Sequence, residues 1–231
     1  MKLVTRMTAV FVVAALAFSA TVAGAFSLRS PQVAFVTAPL QGNLTAWDGF
    51  INAATDQIDA QTFTTGVTGN ADFTLLLKQA AGAEIGCYNT SWVVGPPALY
   101  ALFPPAATAG WSAACHFTAG GTLSATLYDG SFVQQGTVSY TGVDRNHFGY
   151  YISGPGGLWY SQDGRNGPKP QIVTYAGTQS GHNYGEWFEC FEANPYAAGS
   201  STFTGAVVVL ESVQPTPTHQ NTWGALKATY R

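Results

Sequence analysis

Charge is scarce in this chain. Lys, Arg, Asp and Glu make up 9% of its 231 residues, against about 25% in an ordinary soluble domain. Nine basic residues stand against twelve acidic ones. Two of the basic residues, Lys2 and Arg6, lie in the first 25 positions, leaving seven against twelve, a net charge of −5. A nucleic-acid partner calls for a basic stripe, which this balance excludes. Reactive side chains are few as well. The four histidines, His116, His147, His182 and His219, are scattered. There is no G-x-S-x-G elbow, no H-E-x-x-H and no C-x-x-C, and the Gly154–Gly157 run lacks the Lys and helix start of a phosphate loop. Apart from the N-terminus, no segment is apolar for long enough to span a bilayer.

What is present is a β-forming polar composition, with Thr, Ser, Gly, Asn and Gln supplying the surface, alongside 6 Trp, 11 Tyr and 14 Phe. At the N-terminus, Lys2 and Arg6 precede an apolar stretch from Met7 to Phe18, and Ala23-Gly24-Ala25 forms an A-x-A site. This pattern predicts a signal peptide over residues 1–25 and a secreted or cell-surface location. About 206 residues remain, enough for one sizeable core. Cys87, Cys115 and Cys190 would then lie in an oxidising compartment, where three thiols allow one bridge. A Cys87–Cys115 disulfide is the expected pair, because both lie in strand-like runs joined by one connection. The alternatives are a bridge to Cys190 or three buried thiols.

Residues 26–42 read as an extended lead-in. Leu44, Trp47, Phe50 or Ile51, Ala54 and Ile58 recur at helical steps after Asn43, an expected N-cap, with Asp48, Asp56, Gln57 and Asp59 on a solvated face. From Gln61 the pattern is β. Strands are predicted at 73–77, 85–88, 98–103, 111–117, 121–128, 134–140, 148–152, 158–160, 172–175, 187–191 and 206–213. Residues 43–213 thus read as one mainly β domain, an antiparallel, jelly-roll-like β-sandwich with one N-terminal helix. Pro215 and Pro217 end the strand pattern. Residues 214–231 read as a Pro-rich tail with a short helical turn over Thr222–Tyr230.

Ile85-Gly86-Cys87-Tyr88-Asn89, Phe148-Gly149-Tyr150-Tyr151 and Tyr160-Ser161-Gln162-Asp163 with Asn166 follow one another in a set order. The chain resembles, over about Leu44 to Val213, the bacterial surface domain of unknown function 4114 type. That family occurs in proteins with PEP-CTERM sorting tails or calcium-binding repeats. The resemblance implies an extracellular module and, in the family, an acidic loop suited to calcium. Here Phe191-Glu192 remain, but Ala193 replaces an Asp, and Ser200, Thr202, Thr204 and Gly205 stand where Asp, Asp, Asn and Asp belong. The loop is therefore degenerate and calcium is disfavoured, Glu189, Glu192 and Asn194 being the remaining metal-ligand candidates; no other cofactor is expected.

The expectation is a non-enzymatic, structural or adhesive module whose partner is a cell-surface or matrix polysaccharide or protein. A second reading is a carbohydrate-binding module using exposed Trp92, Tyr100, Trp111, Tyr151, Trp159 or Trp187 as stacking platforms. A third is a hydrolase whose site is assembled in space. Glu186 and Glu192 lie about 20 Å apart along a regular strand, too far for a glycosidase carboxylate pair.

Overall fold

The computed structural model describes residues 27–91, 95–178 and 185–217. The expected signal peptide, the terminal helical turn and Trp92 fall outside them. The described residues form a mainly β domain with two antiparallel sheets and one helix.

The strands in chain order are β1 (Gln57–Ile58), β2 (Ala60–Thr65), β3 (Asn70–Lys78), β4 (Glu84–Asn89), β5 (Leu99–Phe103), β6 (Ser112–Phe117), β7 (Thr122–Tyr128), β8 (Gln134–Thr141), β9 (Phe148–Gly154), β10 (Gly157–Tyr160), β11 (Ile172–Ala176), β12 (Trp187–Phe191), β13 (Ala206–Glu211) and β14 (Val213–Pro217). One sheet runs β1-β11-β12-β13-β3-β6-β7-β8, the other β14-β2-β9-β4-β5, with β10 appended to β9.

Alternation explains which side chains meet. Successive residues of a strand point to opposite faces, and on β7 Leu123, Ala125 and Leu127 are buried while Thr122, Ser124 and Thr126 are not. The buried set joins Phe73, Leu75 and Phe117 of its own sheet and Phe63, Ile85, Phe148, Tyr150 and Ile152 of the other in one core. Phe148 is at the centre, stacked on Phe117 at 5.0 Å and edge-on to Tyr150 at 5.8 Å.

The strands β11, β12 and β13 are buried on both faces. Their second face, with Val173, Tyr175, Phe188, Cys190, Val207 and Val209, packs against Leu40, Leu44 and Ile51 of the N-terminal segment. That segment carries helix α1, Ala38–Trp47. It begins and ends earlier than its apolar spacing predicts. Pro39 lies in its first turn, where a missing N–H costs nothing, so the lead-in is helical from Ala38 and Asn43 is inside the helix. Asp48 caps the other end and is buried; its Oδ2 accepts from Thr178 N (2.8 Å) and its Oδ1 from the Thr178 hydroxyl (2.8 Å). Gln57 is also buried, exchanging hydrogen bonds with the backbone of Val33. Neither residue lies on a solvated face.

The prolines of the tail do not stop the sheet. Val213–Pro217 pairs with Ala60–Thr65 as β14, and an edge position accommodates Pro because the missing N–H has no ladder partner there. The two ends of the described chain meet here: Leu28 bridges Ile58, and Pro217 is in register with Ala60.

The expected disulfide is absent. Cys87, Cys115 and Cys190 are all buried free thiols. Cys87 is on β4 and Cys115 on β6, in different sheets. A bridge between them would have to cross the inter-sheet core, in which both thiols lie buried and unpaired. Cys190 points to the opposite side of its sheet, into the helix-side cluster.

Candidate functional site

Among the described residues, the carboxylates on and after β12 do not come together as a metal-ligand group. Glu189, on β12, is fully buried between the sheets; Thr174 Oγ1 lies 2.6 Å from its Oε1. Burial drives its carboxyl well above the ordinary range. Glu192, past the end of β12, accepts from Asn194 N (3.1 Å) through one oxygen and from Thr202 N (2.9 Å) and Phe203 N (3.4 Å) through the other. Its charge is thus spent on the loop's own amides. Among the described residues no group of three or more His, Cys, Asp or Glu side chains could hold a metal.

The candidate stacking aromatics are not gathered on one surface. Tyr151 and Trp187 are buried, donating to Glu84 Oε1 (2.6 Å) and to the Val213 carbonyl (2.9 Å). Tyr100 is buried and donates to the Gly142 carbonyl. Trp111 and Trp159 are half-buried against the inter-sheet core, Trp159 donating to the Ala193 carbonyl. The described histidines are surface groups: His116 Nδ1 lies 2.9 Å from Asn70 Oδ1 and His147 Nδ1 lies 3.2 Å from Asp144 Oδ2.

The ordered signature residues hold the fold together. Ser161 Oγ accepts from Tyr150 N and donates to the Gln61 carbonyl. The Asn166 amide takes both the N–H and the C=O of Tyr160. Gly149 leaves the room they need, since a Cβ there would stand 2.5 Å from Ser161 Oγ. Asp163 is ion-paired with Arg29 at the wall of a cleft of about 440 Å³ whose rim includes Pro31, Pro168, Pro170 and Tyr196. Burial raises the Asp163 carboxyl despite the guanidinium.

The outer face of the half-sheet β3-β6-β7-β8 is a regular polar surface, with exposed or half-exposed side chains alternating with buried ones along each strand. Registered pairs build rows across it. Asn70, His116, Ser124 and Ser139 form one; Asp72, Ala114, Thr126 and Thr137 form the next; Thr122 and Thr141 face each other beyond. The Thr126 and Thr137 hydroxyls are 3.4 Å apart. Neighbouring strands repeat at about 4.8 Å, and same-face residues at about 6.8 Å along a strand. Asp72 is the one acidic member of these rows. Sequence reading passed over this array, although the Thr-x-Ser-x-Thr spacing of 122–126 and 137–141 is its signal. Among the described residues no helix is long and apolar enough to cross a membrane. No protein-family model, curated protein or solved structure matches the chain.

Proposed function

We propose that this chain is an exported, non-enzymatic adhesive module, built as a jelly-roll-like β-sandwich, whose contact surface is the hydroxyl-bearing face of β3, β6, β7 and β8. The observation that carries this reading is the set of cross-strand Ser and Thr rows on β7 and β8. A nearly uncharged surface does not attract polyelectrolytes, and repeated hydroxyls match a polymer that is itself a repeat of hydroxyls. The partner is accordingly a neutral extracellular polysaccharide. The likeness to calcium-associated bacterial surface domains rests on motif order alone. It agrees with an extracellular role, with Glu192 serving the loop in place of an ion.

The test is co-sedimentation of residues 26–231 with insoluble cellulose, chitin and β-1,3-glucan. Binding to at least one is expected. Ser124→Glu with Thr126→Glu, both on β7 and away from the sheet edge, should abolish it at unchanged melting temperature. Binding to none of the three, or binding indifferent to the paired substitution, would sink the adhesive reading.

A further inference from the structure

An open sheet ends in strands whose outward N–H and C=O groups are unpaired, and such edges are where another chain adds a strand. Among the described residues, two hydrogen-bonded paths give four terminal strands: β1, β8, β14 and β5. Three are blunted. β1 is two residues long and is flanked by the Leu28–Ile58 bridge. β14 carries Pro215 and Pro217. β5 has five residues, set between Pro96-Pro97 and Pro104-Pro105. The appended strand β10 is protected too, because the Asn166 amide occupies the Tyr160 N–H and C=O.

β8 differs in length and composition, its one guard being a bulge at Gln135 near its start, where Leu127 pairs with Gly136 and Tyr128 with Gln134. It runs for eight residues, Gln-Gln-Gly-Thr-Val-Ser-Tyr-Thr, with no proline and no charged side chain. Among the described residues no strand pairs with its outer side. Val138 and Tyr140 point toward the core but are only partly covered. A natural edge of this length is ordinarily guarded by Lys, Pro or a covering loop.

We propose that β8 is a self-association edge, on which two copies of this chain pair β8 with β8, antiparallel about a two-fold axis. Antiparallel pairing of one strand with itself is isologous, so a single sequence supplies both sides of the contact. Without charge on the strand there is no like-charge repulsion across the seam. Each copy's Val138 and Tyr140 gain cover from the other's, and the rows of Ser and Thr continue from one subunit into the next. The inference rests on the edge alone and holds whether or not the face binds polysaccharide.

Sedimentation equilibrium of residues 26–231, from micromolar to submillimolar concentration, tests it. The expected mass is twice that of the monomer. Thr137→Lys with Ser139→Lys, both exposed, places like charges across the seam and should return the monomer mass with the wild-type far-UV circular dichroism spectrum retained. Mixing that variant with Thr137→Glu/Ser139→Glu should restore a mixed dimer. A wild-type monomer throughout the range would overturn the proposal. A dimer indifferent to the lysines would overturn it as well.

Discussion

Thr174 and Glu189 are register partners on β11 and β12, and their side-chain oxygens lie 2.6 Å apart between the two sheets, with neither residue accessible to solvent. The Thr174 hydroxyl also reaches the Ala60 carbonyl at 3.1 Å. A hydroxyl has one proton to give. A protonated Glu189 resolves the arrangement, donating to Thr174 while Thr174 donates to Ala60. Tyr150 faces the same space from the other sheet, and burial raises its phenol too.

A carboxyl whose folded pKa is raised binds its proton more tightly in the folded state than in the unfolded one. Its stabilising contribution is complete below the ordinary Glu range, near pH 4.3, and is lost as pH rises above it, by up to about 1.4 kcal/mol per pH unit. Glu189→Gln keeps the shape without the titration. The variant should therefore be more stable than wild type at pH 7 and should lose this part of the pH dependence. Urea denaturation at pH 4 and pH 7 checks it, and a variant less stable at pH 7 would contradict a neutral Glu189.

The three thiols should behave as one class. Burial pushes Cys87 up to about 12 and drives Cys115 and Cys190 well upward. Only a thiolate attacks an alkylating reagent, so iodoacetamide should modify no cysteine in the native protein. In denaturant without reductant it should modify all three. A count of one would reveal a covalent pair.

Glu192 should matter through the loop it organises. Replacing it with Ala removes the acceptor of the Asn194, Thr202 and Phe203 amides; of the three residues only Phe203 is buried, and a buried unpaired group costs roughly 1–3 kcal/mol. A loss of stability of at least about 1 kcal/mol is expected. Millimolar calcium should leave the wild-type melting temperature unchanged, because a carboxylate already shared among amides gains nothing from an ion. A clear rise with calcium, reversed by chelator, would refute this account.

The strand pattern was legible because alternation and Gly, Pro and Asn boundaries are local signals. Every strand predicted from 73 to 213 has a counterpart from β3 to β13. What escaped reading depended on tertiary context. Pro39 looks like a stop until it is placed in a first helical turn, and Pro215 and Pro217 look like stops until β14 is known to be an edge. Asp48 and Gln57 read as solvated because their partners, Thr178 and Val33, are remote or backbone groups. The candidate site was the least legible. Buried aromatics and platform aromatics have the same composition, and of Glu189 and Glu192, three residues apart, one is buried within the strand and the other caps the loop that follows it.

Leu28 and Pro217 sit against Ile58 and Ala60 at the β1 end of the molecule. Seven strand spacings separate β1 from β8 in the larger sheet, roughly 30 Å at the usual interval. The two ends of the described residues therefore lie at one pole and β8 at the other. Pairing through β8 would place those poles of two copies at opposite extremes, so that the pair could bridge two surfaces.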